Sequence, residues 1–328
     1  STEEIIFTRN TTESINLIAY SYALSHLKSG DEIVVSITEH HSDLLPWQMA
    51  SRMTGAKLVF IDCEQDGSID LDKAAALITE KTKIVACAQV SNVIGRVNPI
   101  KELAQLAHAK GAVMVCDGAQ SVPHMAVDVR GLGVDFLAFS GHKLFGPMGT
   151  GVLYGRRDLL EEMPPFLYGG EMIATVKRDS AVYAELPHKF EAGTVNAAGA
   201  AGLAAAIRYV QSIGFEEMHA RELEVTAHAL EGLKKIPHIN IIGSDDPGEH
   251  TGIITFTVDG VHPHDVSEIL AADGVDIRAG HHCAQPLLNH LGISSSVRAS
   301  FMFYNTVEEA ERLIKSLASV RERMGYGE

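Results

Sequence analysis

Through the first half of the chain, apolar residues fall into short, nearly unbroken runs at 5–7, 32–37, 57–61, 83–89, 112–116, 134–139 and 150–154. Each run is too short for a helix, and two of them, 5–7 and 112–116, are apolar at every position. They are therefore expected as strands buried on both faces. Between them apolar residues recur at helical spacing over 13–27, from Ser42 to about 52, over 71–78 and over 99–110, the last opening on Pro99. Strands alternating with helices in this way predict a mainly parallel sheet with helices on both faces, an α/β fold. The run at 150–154 is expected to close that sheet. The stretch 166–185, with Gly169-Gly170, holds neither period and is expected as an irregular loop over a site or at an interface.

An alanine- and glycine-rich helix is expected from Asn196 to about 211, and the pattern then changes. A long helix over 215–235 is followed by strands at 239–242 and 253–258, a helix at 264–272, strands at 275–278 and 297–303, and a final helix over 307–323. That order predicts a smaller α+β unit. The division falls at Ile213-Gly214, giving a large domain over 1–213 and a small one over 214–328.

The 328 residues carry a net charge of −15, which disfavours nucleic-acid phosphates and anionic membranes as partners. No run of about 18 apolar residues predicts a membrane helix, and no basic segment leading into an apolar one predicts a signal peptide. The cysteines, Cys63, Cys87, Cys116 and Cys283, form no C-x-x-C, and the first three lie in or beside apolar runs. A reduced, cytoplasmic protein is expected.

Ligands of parallel sheets sit beyond the carboxyl ends of the strands, and the polar residues at those ends carry the candidate chemistry. Lys143 leaves the 134–139 strand within Ser140-Gly141-His142-Lys143, ahead of a glycine-rich turn. A buried lysine loses solvation and becomes a usable amine nucleophile; an exposed one in that turn would do nothing. Thr11-Thr12 opens a helix and suits an anion, or Thr12 merely caps it. His40-His41 follows the second strand; no third ligand has metal spacing nearby, which favours a structural or ring-stacking histidine. Asp117 stands at a strand exit 26 positions before Lys143. A Schiff-base lysine with a carboxylate for a pyridinium nitrogen is the minimal protein contribution to pyridoxal phosphate chemistry. Cys283, in a loop with Gly280, His281 and His282, reads as a reactive thiolate, a buried thiol or, with the histidines, a metal ligand.

These motifs resemble, over essentially the whole chain, the SufS-type (group II) cysteine desulfurases of the class V pyridoxal-phosphate-dependent aminotransferase family. The resemblance rests on Thr11-Thr12-Glu13, Glu39-His40-His41, Val90-Ser91-Asn92, Asp117-Gly118-Ala119-Gln120, Ser140-Gly141-His142-Lys143, Phe190-Glu191-Ala192-Gly193-Thr194 and Arg278-Ala279-Gly280-His281-His282-Cys283-Ala284. It implies a fold-type I enzyme with a mainly parallel seven-stranded sheet and a smaller C-terminal domain that carries the thiol loop. It implies pyridoxal 5'-phosphate bound at Lys143, with Asp117 on the pyridine nitrogen, His41 stacked on the ring and Gln120 on the phenolic oxygen. Thr11, Thr12, Ser140 and His142 would hold the phosphate, and Thr194 would reach the phosphate of the other subunit of a homodimer. Asn92, Arg298 and Arg278 would bind the substrate carboxylate, and no metal is expected.

The implied reaction converts L-cysteine to L-alanine, leaves a persulfide on Cys283 and passes the sulfur on for iron–sulfur cluster assembly. The acceptor would be a zinc-bearing SufU-type protein rather than a SufE-type one, with His264 exchanging onto its zinc. Members of the family carry a leading segment before the Thr-Thr motif, most of which this sequence lacks, and commonly a proline where Val195 stands. Alternative expectations are a selenocysteine lyase of the same fold, a non-catalytic sulfur-assembly scaffold and a zinc-binding protein.

Overall fold

A computed structural model describes residues 1–326, so the last two residues of the expected 214–328 unit lie outside the described residues. Seven strands form the principal sheet: β1 (Ile5–Thr8), β2 (Glu32–Ser36), β3 (Lys57–Ile61), β4 (Thr82–Ala88), β5 (Val113–Asp117), β6 (Phe136–Ser140) and β7 (Gly151–Gly155). Their order is β1-β7-β6-β5-β4-β2-β3. Pairings from β6 through β3 are parallel, and β7 runs antiparallel between β1 and β6. β7 therefore does not close the sheet as expected; β1 lies outside it at the edge.

The continuous apolar runs are explained by burial on both faces. Ile33, Val35, Ile84, Ala86, Val113 and Val115 pack on one side with Trp47 and Phe136. Their neighbours Val34, Val85, Cys87, Met114 and Cys116 pack on the other with the helices Leu71–Leu77 and Ile100–Ala109. Alternate residues of a strand point to opposite faces, and here both are apolar.

The first helix runs over Thr11–Leu17, widens to a π turn over Ile18–Ala23 and ends at Leu24–His26. Its N-cap is Asn10, whose side chain accepts from Glu13 N, so Thr12 is not the cap. Pro99 is likewise the N-cap residue of its helix and stands just outside it.

The expected irregular loop at 166–185 contains a hairpin, β8 (Ile173–Val176) with β9 (Ala181–Tyr183). Lys177 N donates to Ser180 O at 2.8 Å and closes its turn. Most of its residues are exposed, so no buried face marks it in the sequence.

The helix Ala197–Ile213 meets the helix Phe215–Leu233 at Gly214, which has φ +89°. Beyond it an antiparallel sheet of order β10-β11-β13-β12 comprises β10 (Ile239–Ile242), β11 (Ile253–Val258), β12 (Arg278–Gly280) and β13 (Ser296–Ser300). Val225, Leu230, Phe256, Val297 and Leu313 are among its core. The strand expected at 275–278 is displaced. Val275 and Ile277 pack against that core, whereas the pairing with β13 begins only at Arg278.

Candidate active site

The carboxyl ends of β1, β2, β4, β5 and β6 share one edge of the principal sheet and enclose a cavity of about 230 Å³. Asn10, Thr11 and Thr12 enter it after β1, and His40 and Ser42 after β2. Ala88, Val90 and Asn92 come from the end of β4, Asp117, Ala119 and Gln120 from β5, and Ser140, His142 and Lys143 from β6. Eight residues singled out in the sequence thus meet in one place: Thr11, Thr12, Asn92, Asp117, Gln120, Ser140, His142 and Lys143.

One end of the cavity is rich in hydroxyls. Thr11 N donates to Ser140 Oγ at 2.9 Å and the two hydroxyls lie 2.7 Å apart, which ties the exit of β1 to that of β6. Thr12 Oγ1 lies 2.7 Å from Ser42 Oγ. The approach of β7 to this corner requires glycine: a Cβ on Gly151 would stand 2.5 Å from Asn10 Cα.

Burial governs the ionisable pair. Asp117 is 4% exposed and accepts from Ala119 N at 2.8 Å. Desolvation pushes its carboxyl up, and Lys143 opposes this. Desolvation likewise pushes the Lys143 ammonium down; Asp117 opposes, and Arg298 and Arg278 reinforce it. A lysine held below its ordinary range is the amine that nucleophilic chemistry needs.

The adjacent histidines part company, and this corrects the expectation for His41. His40 is extended (φ −64°, ψ 148°) and faces the cavity, its Nδ1 accepting from Ser42 N at 3.0 Å. Burial, then the Lys143 charge, pushes it down to about 4, so the ring is neutral. His41 opens the 3-10 turn His41–Asp43 and is bonded elsewhere. It lies outside the cavity wall and holds the loop of Cys283. His41 N donates to Cys283 O at 2.7 Å, and its Nε2 accepts from Gln285 N at 3.2 Å.

Beside the cavity wall lie two carboxyl groups that sequence reasoning missed, Glu39 and Asp43, both fully buried. Glu39 Oε1 accepts from Ala88 N at 2.9 Å and Asp43 Oδ1 from Trp47 Nε1 at 2.8 Å. Desolvation, then the Asp43 charge, raises Glu39; desolvation pushes Asp43 up to about 7. A four-residue spacing at the end of a strand was their only trace in the sequence.

The thiol loop is held in a strained form. Gly280, His282 and Cys283 all have positive φ, at +119°, +54° and +57°. Left-handed backbone at two consecutive side-chain-bearing residues costs on the order of 1–2 kcal/mol each and persists only when the surroundings enforce it. Asn92 Nδ2 donates to His282 O at 2.8 Å, which adds to the His41 bond. His282 is buried, its Nε2 lies 2.9 Å from Ser296 Oγ, and burial pushes it down to about 4. The group beside the sulfur is a guanidinium: Arg278 Nη2 donates to Cys283 Sγ at 3.3 Å.

Arg278 and Arg298 are paired across β12 and β13. Arg298 Nη1 donates to Asn92 O at 2.7 Å, and its Nε is buried without a partner. Burial, then Arg278, pushes Arg298 down to about 10. Cys63, Cys87 and Cys116 are buried, and Cys283 alone is half-exposed. Thr194 and His264 are exposed and take no part in the cavity. Among the described residues, no three or more His, Cys, Asp or Glu side chains converge as a metal set.

This donor set fits pyridoxal phosphate. Lys143 offers an amine for the aldehyde, Asp117 a carboxylate for the ring nitrogen, His40 an imidazole against the ring, and the Thr11, Thr12 and Ser140 corner hydroxyls for the phosphate.

Residues 1–313 match the aminotransferase class-V family. A "Probable cysteine desulfurase" of Halalkalibacterium halodurans is 49% identical over 326 residues, 99% of this chain and 80% of that protein. A cysteine desulfurase of Haloferax volcanii is 47% identical over 322 residues, 98% and 75% of the two chains. Among solved structures, a cysteine desulfurase from Thermococcus onnurineus NA1 superposes with a TM-score of 0.94 at 43% identity, covering 98% of this chain and 80% of that one. The cysteine desulfurase CsdA from Escherichia coli gives a TM-score of 0.94 at 40% identity, covering 98% and 79%. The chain belongs to the cysteine desulfurases of the aminotransferase class-V family.

Proposed function

We propose that the protein uses pyridoxal phosphate to take sulfur from L-cysteine, leaving L-alanine and a persulfide on Cys283. The carrying observation is the closeness of two centres. The sheet edge that bears Lys143 after β6 and Asp117 after β5 also holds, through Asn92 after β4 and His41 after β2, the loop that bears Cys283. When bound, the cofactor supplies an electrophilic aldehyde and a ring that takes up the electron pair released at the substrate Cα.

The chain's own residues do the rest. Lys143, lowered by burial, would hold the cofactor and would supply the amine that removes the substrate Cα proton. Asp117 would keep the ring nitrogen protonated, and the neutral His40 would offer its imidazole to the ring. Thr11, Thr12, Ser140 and His142 would receive the phosphate, and Gln120 the phenolic oxygen. Arg298, with Asn92, receives the substrate carboxylate, for which a guanidinium fork is suited. Arg278 donates a hydrogen bond to Cys283 Sγ and so fixes the sulfur beside its guanidinium. In the transfer the Cys283 thiolate attacks the substrate sulfur. An S–S bond forms, the C–S bond breaks and its electron pair stays on Cβ, which takes up a proton to give alanine.

The proposal includes a division of labour, with residues 1–213 holding the cofactor and 214–328 carrying the thiol. It also includes a homodimer, in which Thr194 reaches the neighbouring phosphate. Support comes from exposed apolar residues around that segment, among them Leu167, Tyr168, Val176, Val182 and Val195. The sulfur would pass to a zinc-bearing acceptor for iron–sulfur assembly in the cytoplasm, with the exposed His264 exchanging onto its zinc. Among the described residues no helix is long and apolar enough to cross a membrane.

The test is Cys283→Ala. Cofactor absorbance and its change on adding L-cysteine should persist. No persulfide should form, and sulfide release with a reductant should fall by roughly a hundredfold, about 2.7 kcal/mol of lost barrier lowering. Wild-type sulfide release from this variant would sink the assignment.

A further inference from the structure

We infer that His41 is a positioning residue for the sulfur-accepting loop, a role distinct from that of its neighbour His40 on the cofactor side. The inference rests on the reading of Cys283 as the sulfur acceptor. Two bonds from one residue bracket the cysteine: His41 N–H to Cys283 O at 2.7 Å, and Gln285 N–H to His41 Nε2 at 3.2 Å.

The second bond fills a structural gap. Gln285 is the first residue of the helix Gln285–His290, whose N-cap is Ala284. Alanine has no side-chain acceptor for the free N–H groups at a helix start. His41, 244 positions away in sequence, supplies that acceptor. The helix is then anchored by Leu287 and Leu288, buried against Val93 and Ile94.

His282 and Cys283 lie in left-handed backbone between these fixed points. Strain of that kind relaxes when an anchor is lost. The thiol must meet a sulfur atom within a few tenths of an ångström for the transfer to be fast. Removing the His41 imidazole therefore loosens the thiol loop and leaves the cavity wall in place, because His40, Asp117 and Lys143 make no bond to that ring.

The experiment compares holoenzymes of wild type, His41→Ala, His41→Gln and Cys283→Ala. Three quantities are read: the absorbance change on adding L-cysteine, persulfide on Cys283 in a single turnover by mass, and the rate of Cys283 alkylation by iodoacetamide without substrate. The other cysteines are buried, so alkylation reports on the loop.

For His41→Ala the absorbance response should stay within about twofold of wild type, persulfide formation should slow by roughly tenfold, and alkylation should speed up several-fold. His41→Gln should recover most of both, since its Oε1 can accept from Gln285 N–H. Persulfide formation at the wild-type rate in His41→Ala would overturn the inference. So would a parallel loss of the absorbance response, unchanged alkylation, or a glutamine variant as impaired as alanine. Sulfide release at the wild-type rate from Cys283→Ala would instead remove the underlying assignment, whatever the His41 variants do.

Discussion

Asp43 is fully buried, and its charge helps to raise the neighbouring Glu39. Burial pushes Asp43 up to about 7, while in the unfolded chain it ionises near 3.8. Between those values the folded protein holds a proton that the unfolded chain has released, so stability falls as pH rises through the window. Asparagine fits the same place: its Oδ1 can accept from Trp47 Nε1 and its Nδ2 can donate to Glu39. Asp43→Asn should therefore flatten the dependence, with a thermal midpoint roughly 5 °C above wild type near pH 8 and a near match around pH 4.5. Parallel curves for the two proteins from about pH 5 to 8 would contradict this. Residue type alone left Lys143, Asp117 and Cys283 open to plain structural readings; their shared place at strand ends and in one loop is what singled them out. Orientation was not legible. Nothing in Glu39-His40-His41 says which ring lines the cavity; it is His40, extended between Glu39, which accepts from Ala88 N, and the 3-10 turn that His41 begins.

At the level of elements, the strands were read well wherever both faces are buried, since continuous apolar runs admit few alternatives. The hairpin β8–β9 escaped because exposed residues leave no periodic mark, and β12 was displaced because packing and pairing use different residues there. The order of the strands was not legible either, and it matters at β7. By inserting between β1 and β6, this strand presses Gly151 against Asn10 and so sets the position of the Asn10–Thr12 turn in the cavity. A methyl at 151 meets backbone, which cannot rotate away. Overpacking of this kind costs about 1–3 kcal/mol. Gly151→Ala should lower the thermal midpoint by several degrees and weaken pyridoxal phosphate affinity by roughly tenfold, measured by equilibrium titration of apoenzyme. Unchanged affinity would mean that the turn is set by its own hydrogen bonds and not by β7.

On the scale of the whole molecule, the two sheets must be held in register for a thiol on one to serve a cofactor on the other. A buried group near the seam does this. His124, on the segment that follows Asp117, places Nδ1 2.8 Å from Glu222 Oε2 in the helix Phe215–Leu233, and Glu222 Oε1 accepts from Gly252 N at 2.6 Å just before β11. Thr251 N donates to Gly95 O at 2.9 Å alongside it, and Arg96 pairs with Glu249 at 2.7 Å. These partners are far apart in sequence and share no spacing, so no pattern in the chain announces them. Glu222→Ala leaves a buried histidine and a buried N–H without a partner, and breaking a buried pair in this way costs about 3–5 kcal/mol. The seam should then yield before either sheet does. In urea, cofactor absorbance, which reports on the principal sheet, and far-ultraviolet dichroism, which reports on both sheets, should coincide for wild type and separate for the variant. Glu222→Gln keeps an acceptor for Gly252 N and should fall between them. Coincident transitions at the wild-type midpoint in Glu222→Ala would show that the smaller contacts around Gly95 and Arg96 hold the sheets together by themselves.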